Sequence, residues 1–272
     1  MISKGNYHLA DSLFLAEDYF RASIEYERLI FHQSEPGETN FYRYKKALCY
    51  KNINDYSRAL SELQTIYFPN PTDSLYSYVA YAQALCLFLN DDALKALWKI
   101  DEFINRSHDS VAYRQFQPLK ILCLNQQHDW ENAKNELKAF IQKSPIASKK
   151  KEAFQSQIDS LYSKKTIPKI RSVKKAENLS RFIPGAGQVY VGKIGEGMVN
   201  FLINASILAF SAHQFYYKFY VTGYLAGLGM FNKTYHGGIK RAGHLAAEKN
   251  KIKTDAFNHN INALMIDNIE KK

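Results

Sequence analysis

Small and apolar residues recur along the first half of the chain with a period of 37 residues. Each unit begins at an aspartate: Asp18, Asp55, Asp92 and Asp129. Alanine follows four residues after every aspartate, and larger apolar residues follow at eight and eleven. This spacing describes one face of an α-helix. The pattern predicts paired amphipathic helices, with the aspartate as N-cap of the second helix in each pair.

A single helix pair cannot bury its apolar face alone, so successive pairs are expected to stack. The predicted class is all-α, with a solenoid of about four helix hairpins over residues 1–145. The segments EDYFRASIEYERLI and NDYSRALSELQTI resemble the tetratricopeptide repeat (TPR), whose usual period is about 34. The units depart from that family at its first-helix leucine position, which holds Leu9, Lys46, Gln83 and Lys120.

The TPR resemblance implies a concave groove, lined by the first helices, that binds a protein or peptide partner. Aromatic residues recur at a first-helix position expected to face this groove: Tyr7, Tyr44 and Tyr81, joined by Phe41 and Tyr78. Two interpretations stay open. The rings either pack between helices or form a strip for an apolar or proline-rich peptide.

The three cysteines follow the same period. Cys49, Cys86 and Cys123 are 37 residues apart, with Ser12 at the equivalent place in the first unit. The spacing predicts one small buried position repeated along the array, occupied by free thiols. A disulfide is not expected between stacked repeats, and a zinc site is not expected without a C-x-x-C pair.

Composition changes after Pro145. Residues 146–181 are predicted to form a capping helix, through Phe154 and Ile158, and then a basic linker. Residues 149–181 hold ten Lys and Arg against three Asp and Glu. This segment is either a solvated charged face or a basic anchor beside a membrane.

Glycine and apolar residues dominate from residue 182 onward, where 11 of the chain's 13 glycines lie. Residues 197–212 and 219–231 carry no charge. Each run is slightly shorter than the roughly 20 residues that span a bilayer. With their flanks, they predict a glycine-rich two-helix membrane hairpin over residues 182–250. A buried hairpin in a soluble helical domain is the competing interpretation.

The hairpin begins with the arrangement P-G-x-G-Q-x-Y-x-G-x-x-x-x-G, formed by Pro184, Gly185, Gly187, Gln188, Tyr190, Gly192 and Gly197. A second element follows, with Phe231, Asn232, Tyr235, Gly237 and Gly238. Both resemble a small bacterial domain of unknown function that has two transmembrane helices. The resemblance implies membrane lipid around residues 182–235 and no enzymatic activity. In related bacterial chains, a TPR array precedes such a hairpin.

Asn200 and Asn204 lie four residues apart on the first arm of the hairpin. An amide in lipid is costly unless it is paired. These amides are therefore expected to hold the hairpin together, with backbone or Gln188 as partners, or else to line a conduit or contact a substrate. Residues 251–272 are predicted to form a basic amphipathic tail, with Phe257, Ile261, Leu264 and Met265 on one face.

Charge divides the chain into two parts. Residues 1–145 carry a net charge of −2, and residues 146–272 carry +12. Positive residues flank both outer ends of the predicted hairpin, so the positive-inside rule places both ends, and the TPR part, in the cytoplasm. If a secretory signal is missing from this chain, the TPR part would instead be periplasmic.

The overall composition is that of a folded protein, with 46% apolar and 23% charged residues. The mean hydropathy of −0.37 excludes a polytopic membrane protein. The glycine motif is neither a dinucleotide fingerprint, which would need glycine at Tyr190, nor a phosphate loop. No nucleophile–base pair, carboxylate dyad or metal spacing is visible. The chain is therefore predicted to have no catalytic residues, cofactor, metal or small-molecule substrate.

The predicted function is that of a membrane-anchored TPR adaptor or scaffold in a bacterial envelope. It would mediate protein–protein interaction, for example during envelope or membrane-protein assembly. The alternative is a soluble TPR protein that associates with nucleic acid through its basic C-terminal half. Nucleic acid is the less favoured partner, because electrostatic attraction alone does not read sequence.

Overall fold

The computed structural model describes residues 4–33, 35–69, 74–107 and 110–270, and the side chains of residues 4–8, 110–112 and 268–270 are outside this description. In that part of the chain, all regular structure is helical and no strand occurs. The predicted all-α class is thus confirmed. The chain divides into two compact units: unit 1, residues 1–164 with 261–272, and unit 2, residues 165–260.

Unit 1 is a succession of antiparallel helix pairs, in which each helix packs against the next one along the chain. Its helices are α1 (Lys4–Leu15), α2 (Tyr19–His32), α3 (Pro36–Asn52), α4 (Tyr56–Gln64), α5 (Ser74–Leu89), α6 (Ala93–Ser107), α7 (Ser110–Gln126), α8 (Trp130–Gln142) and α9 (Ser148–Leu161). First helices of successive pairs also meet, since α3 contacts α5 and α5 contacts α7. The packing is repeat-like, as the 37-residue period predicts.

The four repeated aspartates cap the second helix of each pair, as predicted. Each carboxylate accepts a hydrogen bond from the backbone N–H three residues later, at 3.3, 3.0, 3.2 and 3.4 Å for Asp18, Asp55, Asp92 and Asp129. The bond satisfies a helix N–H that has no partner within the helix.

The residue before each capping aspartate has a left-handed backbone conformation. The φ angles are 60° at Glu17, 62° at Asn54, 63° at Asp91 and 61° at His128. This conformation lets the aspartate N–H reach back to the carbonyl five residues earlier, which closes the first helix of the pair. The 37-residue period therefore also holds for the backbone conformation. The sequence does not reveal this repeat, because the four positions carry four different residues.

Three apolar clusters join successive helix pairs in unit 1. Cys49 packs against the α1/α2 pair, Cys86 against α3/α4 and Cys123 against α5/α6. All three cysteines are buried and free, as predicted. Ser12 is exposed, contrary to the prediction. Each cysteine is covered by the helix pair that precedes it. Ser12 lies on α1, in the first described pair, and no earlier described pair covers it.

Helix α9 packs on α8 and covers the end of the succession of pairs. Ile158 is fully buried, and the Tyr162 hydroxyl just after α9 donates a hydrogen bond to Asn125 Oδ1 at 2.9 Å. Asp159 pairs with Lys134 at 2.6 Å and with Lys138 at 2.8 Å. These contacts are those of a capping helix.

Unit 2 contains α10 (Val173–Phe182), α11 (Ala186–Val191), α12 (Ile194–Tyr216), α13 (Tyr220–Thr222), a π-helical segment (Gly223–Leu228) and most of α14 (Gly229–Glu270). Helix α10 packs on α11, α11 on α12, and α12 on the π-helical segment. A small core joins α10, α11 and α14 through Ala176, Val191, Ala242, Leu245 and Ala246.

The second arm of the predicted hairpin is longer than the sequence suggests. Helix α14 runs without a break through residue 250, so the predicted tail continues the same helix. Of the four residues that the sequence places on one face, Phe257, Ile261 and Met265 are buried and Leu264 is partly buried. The final turns of α14, from Ile261, belong to unit 1.

Candidate functional site

The aromatic residues predicted to line a groove do not share one environment. Tyr44 and Tyr81 are partly buried and pack against the clusters between helix pairs. Tyr81 meets Phe116 edge to face, with ring centroids 5.4 Å apart. Phe41 is also partly buried, and the Lys45 ammonium lies 5.7 Å from its ring centroid. The structure gives Tyr44 and Tyr81 packing contacts.

Among the described side chains of this set, Tyr78 is the accessible ring, with 56% of its surface exposed. Burial raises the pKa of Tyr44, and the electrostatic influence of Tyr78 raises it further. Tyr7 belongs to α1, but its side chain lies outside the described residues. An exposed ring beside a partly buried one can contact a partner without disturbing the core.

Lys46 stands at the first-helix position where the TPR family has leucine. It joins two successive helix pairs. Its ammonium lies 2.7 Å from Glu27 in the preceding pair and 2.6 Å from Glu62 in its own pair. Burial disfavours the charged form, but the hydrogen bonds and charges of both glutamates outweigh it and raise the pKa of Lys46. The lysine thus stays charged at neutral pH.

Lys120 repeats this arrangement 74 residues later. Its ammonium lies 3.5 Å from Asp101 in the preceding pair and 3.2 Å from Glu136 in its own pair. Halfway between the two lysines, Gln83 donates a hydrogen bond to the Leu63 carbonyl at 2.8 Å. Sequence reasoning missed these bridges, although the acids show the same 74-residue spacing as the lysines.

The glycine motif brings helices of unit 2 into backbone contact. A Cβ at Gly187 would lie 2.0 Å from the Ala176 carbonyl oxygen in α10 and 2.8 Å from Ala242 Cβ in α14. Gly185 has a φ of 90°, and a Cβ there would lie 2.0 Å from the Gly197 carbonyl oxygen. Glycine is required at these crossings because any side chain would force the helices apart.

Pro184 and Gly192 lie at the two ends of α11. Pro184 belongs to the turn that joins α10 to α11. Gly192 ends α11 with a φ of 93°, the left-handed conformation typical of a helix C-terminus. The Lys249 ammonium donates a hydrogen bond to the Val191 carbonyl at 2.7 Å, which ties this end to α14.

Gln188 is fully buried and lies at the centre of a hydrogen-bond network. Its Nε2 donates to the Gly238 carbonyl in α14 at 3.1 Å, and its Oε1 accepts from the Ser180 hydroxyl at 3.1 Å. The same hydroxyl accepts from the Gly187 N–H at 3.0 Å. The motif glutamine joins α10, α11 and α14, which is a structural role.

Tyr190 is held by cations and by backbone contacts. The Arg171 guanidinium donates to the Tyr190 carbonyl and lies 4.9 Å from the ring centroid, while Lys175 lies 5.4 Å from it. The backbone of Arg171 exchanges two hydrogen bonds of 2.8 Å with the Asn250 side chain. The basic linker is therefore fastened to unit 2.

Asn204 is buried between α12 and α14. Its Nδ2 donates to the Asn200 carbonyl at 2.8 Å, and its Oδ1 accepts from the Thr234 hydroxyl at 2.9 Å. The Asn200 side chain lies against Gly238, where a Cβ would be 2.6 Å from Nδ2. Gln188 is not their partner, contrary to one expectation, because it bonds to the Gly238 backbone instead.

Among the other described motif positions, the Tyr235 hydroxyl donates a hydrogen bond to the Arg181 carbonyl at 2.7 Å, whereas Asn232 and Gly237 make no such contacts. Asn232 and Gly237 are exposed on α14, and a Cβ at Gly237 would have nothing within 4 Å. The structure does not bring these two residues to the motif that holds Gln188. Gly238, the next residue along α14, is buried.

The hairpin also closes through small residues. The Ser211 hydroxyl donates to the Gly223 carbonyl at 2.9 Å, and a Cβ at Gly227 would lie 2.5 Å from the Ser211 side chain. Ala205 and Ala209, by contrast, are exposed. Helix α12 turns its amide and hydroxyl groups inward because they need partners, whereas methyl groups do not.

The outward surface of α12 is apolar. More than 40% of the surface of each of these large apolar side chains is exposed: Met198, Val199, Phe201, Leu202, Ile203, Leu208 and Phe210. No charged residue occurs between Gly197 and Tyr217. A continuous apolar surface of this kind marks an interaction with a protein or a membrane.

Among the described residues, α12 is the one helix that is long and apolar enough to cross a membrane. It has 23 residues, and its most apolar 18-residue stretch has a mean hydropathy of 1.3 and is 17% buried. A core helix of the same composition would be mostly buried. The second arm does not meet this criterion, because its uncharged run, 219–231, ends before Lys233.

Two further observations concern metal binding and similarity to known proteins. Within the described ranges, no group of three or more His, Cys, Asp and Glu side chains could hold a metal ion. The chain matches no protein-family model, no curated protein and no solved structure. No relative therefore supplies a function.

Proposed function

We propose that this chain is a membrane-anchored adaptor of a bacterial envelope. Unit 1 would be a TPR-like solenoid that binds a protein or peptide, and the glycine-rich hairpin of unit 2 would hold it in the membrane. The observation that carries the proposal is the apolar outward surface of α12, which lies next to an inward surface of satisfied polar groups.

Hydrocarbon is the solvent that suits this surface. Exposed apolar area is unfavourable in water by about 25 cal/mol per Å², and lipid removes that penalty. Buried amides such as Asn204 already have partners, as lipid requires. Aromatic side chains are exposed around the turn between the arms, at Tyr216, Tyr217, Phe219 and Tyr220. Such belts are typical of membrane–water interfaces.

Repeat-like packing supports the binding role of unit 1. Contacts between the first helices of neighbouring pairs are those expected of a solenoid whose first helices line a groove. Tyr78 on α5 offers an exposed ring on such a helix. A protein or peptide with apolar side chains is the partner that this surface suits.

Charge supports the orientation of the hairpin. Lys218 is the one charged residue in the turn between the arms, whereas several Lys and Arg flank each outer end. The positive-inside rule then places the turn outside and both ends in the cytoplasm. Unit 1 would accordingly bind cytoplasmic partners.

A matched pair of variants tests the anchor. Leu208 on α12 and Ile24 on α2 are equally exposed, at 42% and 41%. Lysine near the middle of a membrane helix costs about 2.5–3.5 kcal/mol. We therefore expect Leu208→Lys to leave the membrane fraction, while the parent chain and Ile24→Lys stay there until detergent is added.

Release of the parent chain by high salt alone, with the two variants behaving alike, would refute the anchor. Such a result would instead favour attachment by charge, including the nucleic-acid alternative. The binding role is tested by a photo-cross-linking residue at Tyr78, with Trp98 on α6 as an equally accessible control. Adducts at both positions or at neither would contradict a groove at Tyr78.

A further inference from the structure

A hollow of about 480 Å³ lies between the glycine motif and the first two turns of α12. Its size is within the range of ligand sites in proteins. The lining is apolar and includes Ile183, Pro184, Val189, Met198, Phe201 and Leu202. Met198, Phe201 and Leu202 also belong to the apolar outward surface of α12. The hollow therefore opens on that surface of the helix.

The glycine motif explains why a hollow exists at this place. Gly185 and Gly197 both line it and touch each other through their backbones. With no side chain at either position, larger side chains form the walls and backbone forms the base. The motif thus both locks α11 onto α12 and leaves an apolar space beside the crossing.

The hollow lies at the charged end of α12. Arg181 is two residues before Ile183, and Lys193 is the residue before α12 begins. Neither forms an ion pair among the described residues. The acid at this end, Glu196, pairs with Arg241 at 2.6 Å. Lys193 also acts on the Glu196 carboxylate electrostatically. One acid thus offsets only part of the positive charge of Arg181, Lys193 and Arg241.

We infer that this hollow binds an acyl chain of an anionic phospholipid from the surrounding bilayer, whose phosphate is attracted by Arg181 and Lys193. This inference rests on the proposed membrane anchor. An acyl chain matches the apolar lining, and a phosphate matches the two cations that lie close in sequence to the lining residues. The hollow occupies the first turns beyond the charged end, where acyl chains meet head groups in a bilayer.

Brominated lipids test the site, because bromine quenches tryptophan fluorescence on contact. The full chain carries Trp98→Phe and Trp130→Phe, with one reporter in the hollow, Phe201→Trp. A matched reporter, Leu208→Trp, lies on the same helix outside the hollow. Both are reconstituted in phosphatidylcholine vesicles that contain either brominated phosphatidylglycerol or brominated phosphatidylcholine.

We expect Phe201→Trp to be half-quenched at a mole fraction of brominated phosphatidylglycerol roughly tenfold lower than that of brominated phosphatidylcholine, since each nearby cation strengthens binding several-fold. Leu208→Trp should be quenched equally by both lipids. Arg181→Gln with Lys193→Gln should abolish the preference. Lys218→Gln, which removes a cation at the other end of α12, should preserve it.

A second reporter, Met198→Trp, guards against a local defect of the first, and the two should agree. If both hollow reporters show no preference while Leu208→Trp is quenched, the lipid site is refuted and the anchor stands. If Leu208→Trp is quenched by neither lipid, the membrane anchor itself fails.

Discussion

At the scale of single residues, the cysteines show how burial sets chemical behaviour. Burial in the clusters between helix pairs raises the pKa of Cys49 to about 12, of Cys86 to about 11 and of Cys123 to about 12. The thiolate is the reactive form of cysteine. These thiols therefore stay protonated and inert in the folded protein.

The same shifts predict a loss of stability at alkaline pH. The unfolded thiols titrate near 9.0, whereas the folded ones keep their protons to about 11 or 12. Stability is thus complete below pH 9 and falls as the pH rises above it, by about 1.4 kcal/mol per pH unit for each thiol. Urea unfolding of the full chain in detergent at several pH values measures this slope.

Cys123→Ala provides the control for that experiment. The variant loses packing at every pH, but its stability should fall less steeply above pH 9 than that of the parent chain. The difference in slope isolates one thiol from the other groups that titrate in this range. Identical slopes for the parent and the variant would contradict the burial of Cys123.

At the scale of elements, glycine decides where helices of unit 2 can touch. Gly187 lies where α11 meets both α10 and α14, whereas Gly237 lies on an exposed face of α14. Both glycines are helical, so the difference between them is one of space. The helix that contains Gln188 can reach the Gly238 carbonyl only because Gly187 permits the close approach.

Alanine at these two glycines should have opposite effects. Gly187→Ala places a methyl group 2.0 Å from a backbone oxygen and should destabilise unit 2 by about 3 kcal/mol. Gly237→Ala meets no neighbour and should stabilise α14 by about 0.5–1 kcal/mol. Thermal unfolding of both variants in the same detergent tests this. Equal shifts would rule out the close packing of α10, α11 and α14.

At the scale of the whole molecule, charge is divided between the two units. Unit 2 holds 14 Lys and Arg against four Asp and Glu, a net charge of +10 that equals the net charge of the chain. Such a unit suits an anionic membrane surface. If the hairpin spans a membrane as proposed, this charge would also favour the cytoplasmic side for its outer ends.

Limited proteolysis tests the side. With an epitope tag at the N-terminus, we expect the tag to survive protease added to spheroplasts and to be lost from inverted membrane vesicles. Lysed spheroplasts provide the control for protease activity. Loss of the tag from intact spheroplasts would place unit 1 in the periplasm instead.

Local features were predictable from the sequence because they depend on short distances along the chain. Asp55 caps a helix through an N–H three residues away. Ala59 belongs to a helix face that is defined by the period of 3.6 residues per turn. Helix pairs, caps and buried cysteines follow from such spacing. The density of glycine likewise indicates close helix crossings.

Only the tertiary structure decided which distant residues meet. Gln188 bonds to Gly238, 50 residues away, and Arg171 to Asn250, 79 residues away. The orientation of α12 about its axis, which buries Asn204 and exposes Ala209, likewise depends on contacts with α14. A polar side chain can be buried where a hydrogen-bond partner is available. The position of that partner depends on how the helices pack, whereas periodicity can be read from the chain alone.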